Sequence, residues 1–390
     1  MANSPAAGAS RVLIIGGGII GCLTAWRLKT LGAEPLVLDR GQIGAEASWA
    51  GAGILSPIHP WLYPDAFSEL VNTSLALYPE YVNELEDISG MSVEWSRSGL
   101  MIPMFATDKV DHRREALAWS KRFGWPVEQL SASDTRLSEP SVSPEVCGSL
   151  LWPEVGQVRN PRLLQAARLA LQAQGVQLRE HTEVAGLLEG KDGVSGVRLA
   201  NGEQIAADSV LLAAGSWSGG LGEGMGLALP VRPVKGQIVL LHCASGTVRH
   251  IVKHDDAYFV PRLDGRVLVG ASLEDAGFRR GNTVAEVGRL LDAVRQMMPA
   301  LADAEIERQW MGFRPGSPDG LPYLGPVAGR RNLWVSTGHY RNGVVLAPVS
   351  AELISRWILG QEPGQAMAAF SPERTLHRHP HLGYPQPQVV

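Results

Sequence analysis

Four residues near the N-terminus have the types and the spacing needed to hold a dinucleotide. Gly16, Gly18 and Gly21 follow the pattern G-x-G-x-x-G, and Asp39 lies further along the chain. The first glycine permits a tight turn, the second lets backbone approach a pyrophosphate, and the third lets a helix pack closely against a strand. A carboxylate at this distance usually binds the hydroxyl groups of a ribose. A glycine-rich turn in an unrelated α/β sheet is the alternative interpretation.

The elements around these residues must place them at one end of a parallel sheet. Residues 12–15 form a mostly β-branched run typical of a buried parallel strand, and residues 36–38 form a second apolar run that ends at Asp39. Between them, residues 20–28 have helical spacing, and the N-terminus of that helix would bind the phosphates. Strand, glycines, helix, strand and acid occur in this order, which favours a dinucleotide site over a glycine-rich turn.

Composition places the chain among ordinary soluble globular proteins. Its 390 residues suffice for two or three domains, and 45% of them are hydrophobic and 19% charged. The formal net charge of −4 gives no indication of a nucleic-acid partner. No apolar run is long enough to span a bilayer, and residues 1–10 lack the regions of a signal peptide. We therefore expect a cytoplasmic protein that works without nucleic acid or membrane.

Cysteine and histidine give little indication of a metal site. Cys22, Cys147 and Cys243 are far apart and lack metal-ligand spacing, which favours reduced thiols in the core. Residues 372–390 are rich in proline and histidine and are expected to form a loose tail. Three histidines of this tail could bind a metal, although a solvated tail is favoured: His377, His379 and His381. We predict no metal site.

Residues 41–57 are rich in glycine and alanine, and their place after the ribose-binding strand favours a cofactor-wrapping segment over a flexible linker. GGGIIG with Asp39, followed by EAS at residues 46–48 and GAG at residues 51–53, resembles the D-amino-acid oxidase family. Within that family, the sequence is most similar to the glycine oxidases of thiamine biosynthesis. The likeness covers nearly the whole chain apart from the termini and continues through residues 159–161, 233–237, 258–262, 312–325 and 338–348.

The resemblance implies a bound FAD rather than NAD. We expect the FAD to be non-covalent, since no histidine or cysteine stands where a flavin linkage could be argued. Residues 333–337, then GHYRNG and a helix over 344–359, form a second strand–glycine–helix arrangement, whose helix N-terminus could face the pyrimidine edge of the flavin. The backbone of Val184 would face the adenine. The implied cofactor-binding residues are Gly16, Gly18, Ile19, Ile20, Gly21, Asp39, Arg40, Ala47, Ser48, Ala52, Gly53, Ile54, Val184, Trp217, His339, Asn342, Gly343, Val344 and Val345.

Carboxylate binding is the main demand that amino-acid oxidation makes on the side chains, because the flavin supplies the hydride acceptor. Arg314 ends an apolar strand and matches the family's carboxylate-binding arginine, with a structural pairing to Asp319 as the alternative. Arg341 matches a second family residue near the substrate, with a structural or cofactor-facing role as the alternative. Tyr258 matches a tyrosine that lines the site, with a core tyrosine as the alternative. Arg314, Tyr258 and Arg341 together form the predicted carboxylate clamp.

Three positions depart from the glycine oxidase pattern near the substrate. Asp256 replaces a histidine, and Ile54 and Leu273 replace methionines. These differences bear on the identity of the substrate rather than on the carboxylate clamp. No side chain is assigned as a general base, since the family requires none if the neutral amine is the reacting form.

The implied fold is α/β, with a Rossmann-type FAD/NAD(P)-binding domain of the glutathione-reductase-like kind. A substrate domain is inserted into it, built on a mostly antiparallel β-sheet flanked by helices. Within these domains, Asn201-Gly202 and Asp264-Gly265 predict β-hairpin turns. The predicted boundaries assign residues 1–86, 151–225 and 306–365 to the FAD-binding domain, residues 87–150 and 226–305 to the substrate domain, and residues 366–390 to a C-terminal tail.

These features favour an FAD-dependent oxidase of glycine, sarcosine and small D-amino acids. It would form glyoxylate or another 2-oxo acid, ammonia or an amine, and hydrogen peroxide from O2. The alternative enzyme is a flavoprotein dehydrogenase for D-amino acids or secondary amines, with a non-oxygen electron acceptor. A non-catalytic or NAD-binding module is disfavoured by the second strand–glycine–helix arrangement and the paired arginines. By analogy with the family, we expect a homo-oligomer, a homotetramer in particular.

Overall fold

Short apolar runs from both ends of the chain build the first sheet. The computed structural model describes residues 10–57, 59–108, 112–191, 193–363, 367–376 and 382–383. Strands and helices are numbered here in chain order. The first sheet contains β1 (Arg11–Ile15), β2 (Glu34–Leu38), β6 (Gln177–Arg179), β10 (Ser209–Leu212), β16 (Tyr323–Pro326) and β17 (Leu333–Thr337).

The first sheet is parallel except at one edge. Its strand order is β16-β17-β10-β1-β2-β6, and only β16 runs antiparallel to its neighbour. Strand β1 lies between β2 and β10. The glycines that follow β1 therefore stand at the crevice between the two halves of the sheet, where the connections from neighbouring strands lead in opposite directions. Crevices of this kind are where open α/β sheets bind their ligands.

Helices cover one face of the first sheet, where α1, α3, α6 and α9 pack against one another in a common core. Helix α6 begins at Asn160 and has a proline in its first turn, where proline is favoured. The helices of the described chain are α1 (Ile19–Thr30), α2 (Ala47–Ala50), α3 (Asp65–Ser89), α4 (Arg113–Phe123), α5 (Ala132–Ser138), α6 (Asn160–Ala173), α7 (Ser218–Gly224), α8 (Val284–Met297) and α9 (Ala347–Ile358).

A three-stranded antiparallel sheet covers the other face. It consists of β7 (Val184–Gly190), β8 (Gly193–Leu199) and β9 (Gln204–Ala206). Val194 and Val197 of β8 pack with Leu13 of β1 and Leu212 of β10 in a shared core. The turn at Asn201-Gly202 joins β8 to β9, which confirms the predicted hairpin. Because both faces are covered, the strands between them read as near-continuous apolar runs.

The second sheet has eight strands in the order β15-β11-β14-β13-β12-β3-β5-β4. All neighbours are antiparallel except β12 and β3, which confirms the mostly antiparallel inserted sheet. Asp264-Gly265 joins two of its strands, as predicted. The strands are β3 (Leu100–Met104), β4 (Glu128–Ser131), β5 (Gly148–Trp152), β11 (Arg232–His242), β12 (Ile251–His254), β13 (Ala257–Pro261), β14 (Arg266–Gly270) and β15 (Glu305–Gly316).

Alternation along these strands gives the second sheet two different faces. Val239 and Phe259 lie on the outer face, in a core shared with α8. Ile238, Ile251 and Tyr258 lie on the inner face, in a separate cluster that also includes residues of the cofactor-wrapping segment. We refer to these as the outer face and the inner face of the second sheet. The inner face is the one available to cover a ligand.

Strand β15 crosses one of the predicted domain boundaries. The boundary at residue 306 placed most of β15 with the first sheet, but this strand pairs with β11 along its whole length and forms the edge of the second sheet. In the C-terminal segment, Met367, Phe370 and Leu382 are buried in the core of the first sheet, whereas Leu376 is 39% exposed.

Three further expectations concern cysteines, histidines and termini. Cys22 is buried and Cys243 half-buried, but Cys147 is exposed and therefore is not a core thiol. The three tail histidines, His377, His379 and His381, lie outside the described residues, as do residues 1–9. Among the described residues, no helix combines the length and apolarity that crossing a membrane requires. The described chain also contains no group of three or more His, Cys, Asp or Glu side chains placed to hold a metal ion.

Candidate active site

The nucleotide end of the site is built where β1 passes into α1. Gly16 has φ +113°, and a Cβ at this position would stand 2.4 Å from the carbonyl oxygen of Ala213. Only glycine therefore fits the turn. The carboxylate of Asp39 is fixed beside it, because its two oxygens accept hydrogen bonds of 2.8 Å from the backbone N–H groups of Gly17 and Gly41. Each carboxylate oxygen keeps a further lone pair with which it could bind a ribose hydroxyl.

The third glycine and Ser48 position the first turn of α1. A Cβ on Gly21 would stand 2.0 Å from the carbonyl oxygen of Gly16, so the helix lies directly against the turn. Ser48 of α2 accepts a hydrogen bond of 3.0 Å from the N–H of Ile19. This bond ties the cofactor-wrapping segment to the start of α1. The helix N-terminus, which favours anions, is thereby held at the wall of the cavity.

One cavity of about 2270 Å³ connects this turn with the inner face of the second sheet. It exceeds the few hundred to a thousand Å³ that a small ligand usually occupies, which fits a dinucleotide together with a substrate. Sixteen of the nineteen predicted cofactor residues line it: Gly16, Gly18, Ile19, Ile20, Asp39, Arg40, Ala47, Ser48, Ala52, Gly53, Ile54, Val184, Trp217, His339, Gly343 and Val344.

Three predicted cofactor residues lie behind the wall of the cavity. Gly21 packs against Gly16, as described above. Val345 is 1% exposed and belongs to the core of the first sheet. The Asn342 side chain donates a hydrogen bond of 3.1 Å to the Tyr63 hydroxyl. The structure therefore places these three as supports of the cavity wall.

The second strand–glycine–helix arrangement differs from its prediction at the helix start. Helix α9 begins at Ala347 rather than at 344, because residues 343–346 form turns in which Leu346 N–H bonds back to the Asn342 carbonyl. His339 lies under the helix, with Nε2 3.0 Å from the Ser350 hydroxyl. Burial lowers the pKa of His339 to about 3, so its imidazole is neutral at physiological pH.

Arg314 stands on the inner face of the second sheet, at the end of β15. Its Nη1 donates a hydrogen bond of 3.0 Å to the Ser272 carbonyl. A Cβ on Gly236, in the neighbouring strand, would stand 2.3 Å from Nη1, so this glycine makes room for the guanidinium. The structural alternative for Arg314 is wrong, because Asp319 instead binds the Arg374 guanidinium through two bonds of 2.8 and 2.9 Å.

Tyr258 lies beside Arg314 on the same face. It is 7% exposed, and a Cβ on Gly270, its partner in β14, would stand 2.6 Å from the tyrosine hydroxyl. Burial raises the pKa of Tyr258, while the positive charges of Arg314 and Arg341 act in the opposite direction. The hydroxyl therefore stays protonated near neutral pH and can donate a hydrogen bond to a carboxylate.

Arg341 completes the predicted clamp from the first sheet. Its guanidinium lies 4.9 Å from the Tyr340 ring centroid, and Nη2 donates a 3.3 Å hydrogen bond to the Tyr340 hydroxyl. Burial opposes its charge, but the Tyr340 and Tyr63 hydroxyls and the Asp256 carboxylate outweigh that effect and raise the pKa of Arg341. All three residues of the clamp line one cavity, as do the departures Asp256, Ile54 and Leu273.

Sequence reasoning missed several polar groups of the inner face. Lys253 of β12 is 4% exposed and lines the cavity. Arg262, just after β13, is 8% exposed and donates hydrogen bonds to the Ala52 carbonyl at 2.7 Å and the Val158 carbonyl at 3.1 Å, so it ties the second sheet to the cofactor-wrapping segment. The sequence feature that could have indicated such groups is a charged residue within an otherwise apolar strand, as in the run Ile251-Val252-Lys253.

The fold and site together define an FAD-dependent oxidoreductase. Residues 11–357 match the DAO family, described as FAD dependent oxidoreductase, and the chain belongs to this family. The residues present fit the cofactor, because the glycine turn leaves space for a pyrophosphate and Asp39 offers acceptors to a ribose.

Individual relatives narrow the comparison further. The glycine oxidase of Pseudomonas putida is 40% identical over 94% of this chain and 99% of its own length. The bifunctional protein ThiO/ThiG of Synechocystis sp. is 37% identical over 94% of this chain and 54% of its own length. The crystal structure of glycine oxidase from Geobacillus kaustophilus has a TM-score of 0.90 at 30% identity, covering 95% of this chain and 100% of that chain.

Proposed function

We propose that this protein oxidatively deaminates glycine and related small amino acids, including sarcosine and small D-amino acids, with FAD as its cofactor. One observation carries the proposal. Arg314 lies beside Tyr258 in the cavity that the glycine turn opens into, and no ion pair within the described residues includes Arg314. Its charge is therefore available to a carboxylate ligand. The similarity to glycine oxidases supports the same substrate class.

The side chains of the clamp bind and orient the substrate. Arg314 would hold the carboxylate through its fork of N–H donors, and the Tyr258 hydroxyl would donate a further bond. Arg341 would close the site from the side of the first sheet. These contacts aim the α-hydrogen at the cofactor and exclude water from the pocket. FAD, when bound without a covalent link, supplies the hydride acceptor for the α-carbon.

The net reaction balances with dioxygen as the acceptor. Glycine, water and O2 give glyoxylate, ammonia and hydrogen peroxide, because loss of a hydride and a proton leaves an imine that water hydrolyses. A substituted amine such as sarcosine releases methylamine instead of ammonia. The neutral amine is the reacting form, so no side chain is needed as a general base. A dehydrogenase with a non-oxygen acceptor would give the same imine without peroxide.

The setting of the enzyme is part of the proposal. We place it in the cytoplasm as a homo-oligomer, a homotetramer in particular, with a role in thiamine biosynthesis. The resemblance to glycine oxidases supports these points. Size-exclusion chromatography with light scattering measures the assembly, and a monomer would contradict it.

A substrate panel tests the activity directly. Purified holoprotein is mixed anaerobically with glycine, sarcosine and D-alanine while FAD absorbance is followed, and peroxide is then measured in air. Bleaching with stoichiometric peroxide is expected. Bleaching without peroxide would indicate the dehydrogenase, and no bleaching by any amino acid would contradict the proposal. Acid precipitation of the protein should release all of the flavin, and retained flavin would contradict non-covalent binding.

A further inference from the structure

The connection between β14 and α8 is a long loop at the edge of the cavity. It runs from Ala271 to Thr283, lies wholly within the described residues and contains neither helix nor strand. Connections of this length without secondary structure are uncommon in compact domains and usually serve a function. Most side chains between residues 275 and 281 are exposed, yet Phe278 among them also lines the cavity. We refer to residues 274–283 as the strap.

One buried side chain fastens both ends of the strap. Gln237 of β11 is completely buried, and its amide nitrogen donates hydrogen bonds of 2.9 Å to the Glu274 carboxylate and 3.2 Å to the Thr283 hydroxyl. Its amide oxygen accepts a hydrogen bond of 2.8 Å from the Thr283 N–H. Backbone hydrogen bonds of 3.0 Å in both directions also join Glu274 to Lys235. The ends of the strap are therefore fixed to the second sheet.

An aromatic stack holds the middle of the strap at the nucleotide end of the site. Phe278 lies nearly parallel to Trp217, with ring centroids 4.9 Å apart, and meets the Phe313 ring of β15 edge-on at 5.3 Å. Trp217 lies just after β10 of the first sheet, and the Arg40 guanidinium is 4.0 Å from its ring centroid. Arg40 directly follows Asp39, whose carboxylate is bonded to the glycine turn. Phe278 therefore links the second sheet to the wall beside the predicted ribose site.

An ion pair fastens the strap to the cofactor-wrapping segment. Nη2 of Arg280 lies 2.5 Å from Oε1 of Glu46, and the two side chains are 61% and 37% exposed. Because Glu46 also lines the cavity, the pair lies where the cavity meets solvent. Glu46 directly precedes α2, whose Ser48 is bonded to the start of α1. An exposed ion pair is weak and is weakened further by salt, so this contact can open readily.

We propose that the strap retains FAD, and that the cofactor enters and leaves when Phe278 and Arg280 release their contacts. Both contacts join the strap to elements that line the nucleotide end of the cavity, and both are accessible to solvent. The buried Gln237 keeps the ends of the strap in place while its middle opens. The inference concerns the cofactor of the family, so it does not depend on which substrate is oxidised.

Cofactor exchange tests the strap without any turnover. Holoprotein is mixed with an excess of isotopically labelled FAD, and the labelled fraction of the protein-bound FAD is followed by mass spectrometry after gel filtration. Exchange requires release of the bound FAD, so its rate reports opening of the strap. Phe278→Ala should exchange roughly two- to tenfold faster, as for the loss of one aromatic pair. Leu263→Ala is the matched control, because it changes an exposed apolar side chain in another turn of the same sheet and should exchange at the unaltered rate.

Charge reversal tests the ion pair. Arg280→Glu and Glu46→Arg each place like charges opposite one another, so each single variant should exchange FAD severalfold faster at low salt. The double variant restores a pair of reversed orientation and should exchange at close to the unaltered rate. Raising the salt concentration should accelerate exchange more in the unaltered protein than in Arg280→Ala, which has no pair to screen. A role in folding alone would produce neither the rescue nor the difference in salt dependence.

The outcomes separate this inference from the proposed function. The strap would be overturned if Phe278→Ala and both single reversals exchanged FAD at the unaltered rate, or if the double reversal stayed as fast as the single ones. Glycine oxidation is measured separately on the same proteins. If no amino acid is oxidised while the variants still exchange FAD faster, the proposed function fails and the strap stands. If glycine is oxidised while exchange is unchanged in every variant, the strap fails and the proposed function stands.

Discussion

Glycine beside a functional side chain recurs across the inner face of the second sheet. Gly236 leaves room for the Arg314 guanidinium, and Gly270 leaves room for the Tyr258 ring. A methyl group would stand 2.3 Å from the Arg314 Nη1 at the first position and 2.6 Å from the Tyr258 hydroxyl at the second, too close for the polar group to lie flat against the sheet. The geometry of the predicted clamp therefore depends on neighbouring glycines as well as on Arg314 and Tyr258.

Replacing Arg314 tests the clamp at this scale. Arg314→Ala removes a charged, two-bond contact worth about 1.5–3 kcal/mol, so the KM for glycine should rise roughly ten- to a hundredfold. Turnover should also fall if the substrate loses its alignment. Arg314→Lys keeps the charge without the fork and should recover only part of the loss. Steady-state kinetics with verified FAD content measures these values.

Two controls accompany this prediction. Arg308→Ala changes an exposed arginine of the same strand and should leave KM unchanged. A neutral amine without a carboxylate should be indifferent to the loss of Arg314. If Arg314→Ala retained FAD and oxidised glycine with near-normal kinetics, Arg314 would not be the residue that binds the carboxylate. Arg341 would then be tested next.

A second prediction at the residue scale concerns acid stability. His339 has a folded-state pKa of about 3 and an ordinary value near 6.5, so the unfolded chain binds its proton first. Stability should therefore fall as the pH drops below 6.5, by about 2 kcal/mol between pH 7 and pH 5 from this residue. In His339→Gln the decrease in Tm between these pH values should be smaller. As a control, His242→Gln replaces an exposed histidine and should show the same decrease in Tm as the unaltered protein. If His339→Gln also showed that unchanged decrease, His339 would not be the source of the acid sensitivity.

At the scale of elements, the same residue type has opposite consequences in two helices. Gly21 in α1 and Gly288 in α8 both have helical backbone, but their surroundings differ. A Cβ on Gly21 would overlap the Gly16 carbonyl, whereas a Cβ on Gly288 would meet no atom within 4 Å. Helix propensity disfavours both glycines equally, so the tertiary contact decides which one is required.

The paired substitutions test this directly. Gly288→Ala should stabilise the protein by up to about 1 kcal/mol, because alanine is the better helix former. Gly21→Ala should destabilise it by about 1–3 kcal/mol and release FAD, because α1 must move away from the glycine turn. Thermal unfolding of the holoprotein and flavin content after gel filtration are the measurements. A Gly21→Ala protein with normal Tm and full FAD would contradict the close packing of strand and helix.

At the scale of the whole molecule, residues distant in sequence hold the domains and the C-terminal segment together. Arg262 donates hydrogen bonds from the second sheet to the Ala52 carbonyl of the cofactor-wrapping segment. Arg374, near the end of the chain, binds Asp319 and lies 3.9 Å from the Tyr323 ring centroid. Both arginines are nearly buried, so removing either leaves acceptors without partners.

The last prediction concerns this C-terminal ion pair. Arg374→Met should destabilise the protein by about 3–5 kcal/mol, because Asp319 would remain as an uncompensated buried charge. Its side chain is 10% exposed and that of Arg374 is 6% exposed. Arg295→Met removes an exposed pair with Asp292 and should cost less than about 1 kcal/mol. Equal Tm values for the two variants would show that the C-terminal segment contributes little to stability.

Sequence alone was sufficient where structure follows from neighbouring residues. The glycine turn, the strands around it and Asp39 lie within a single short stretch, and each requirement is local. The hairpins at Asn201-Gly202 and Asp264-Gly265 were predictable for the same reason, since two adjacent residues determine the turn. The resemblance of motifs along the chain then identified the fold class and the cofactor, and it predicted the residues of the clamp.

Tertiary structure decided what depends on register and on distant partners. Asp319 pairs with Arg374, far along the chain, rather than with Arg314, because only folding brings the Arg374 side chain to Asp319. Likewise, the pairing of Lys253 with Tyr258 depends on how β12 and β13 align, and a shift of one residue would turn the lysine to the outer face. A sequence specifies which side chains are available, but strand register and packing determine which of them share a cavity.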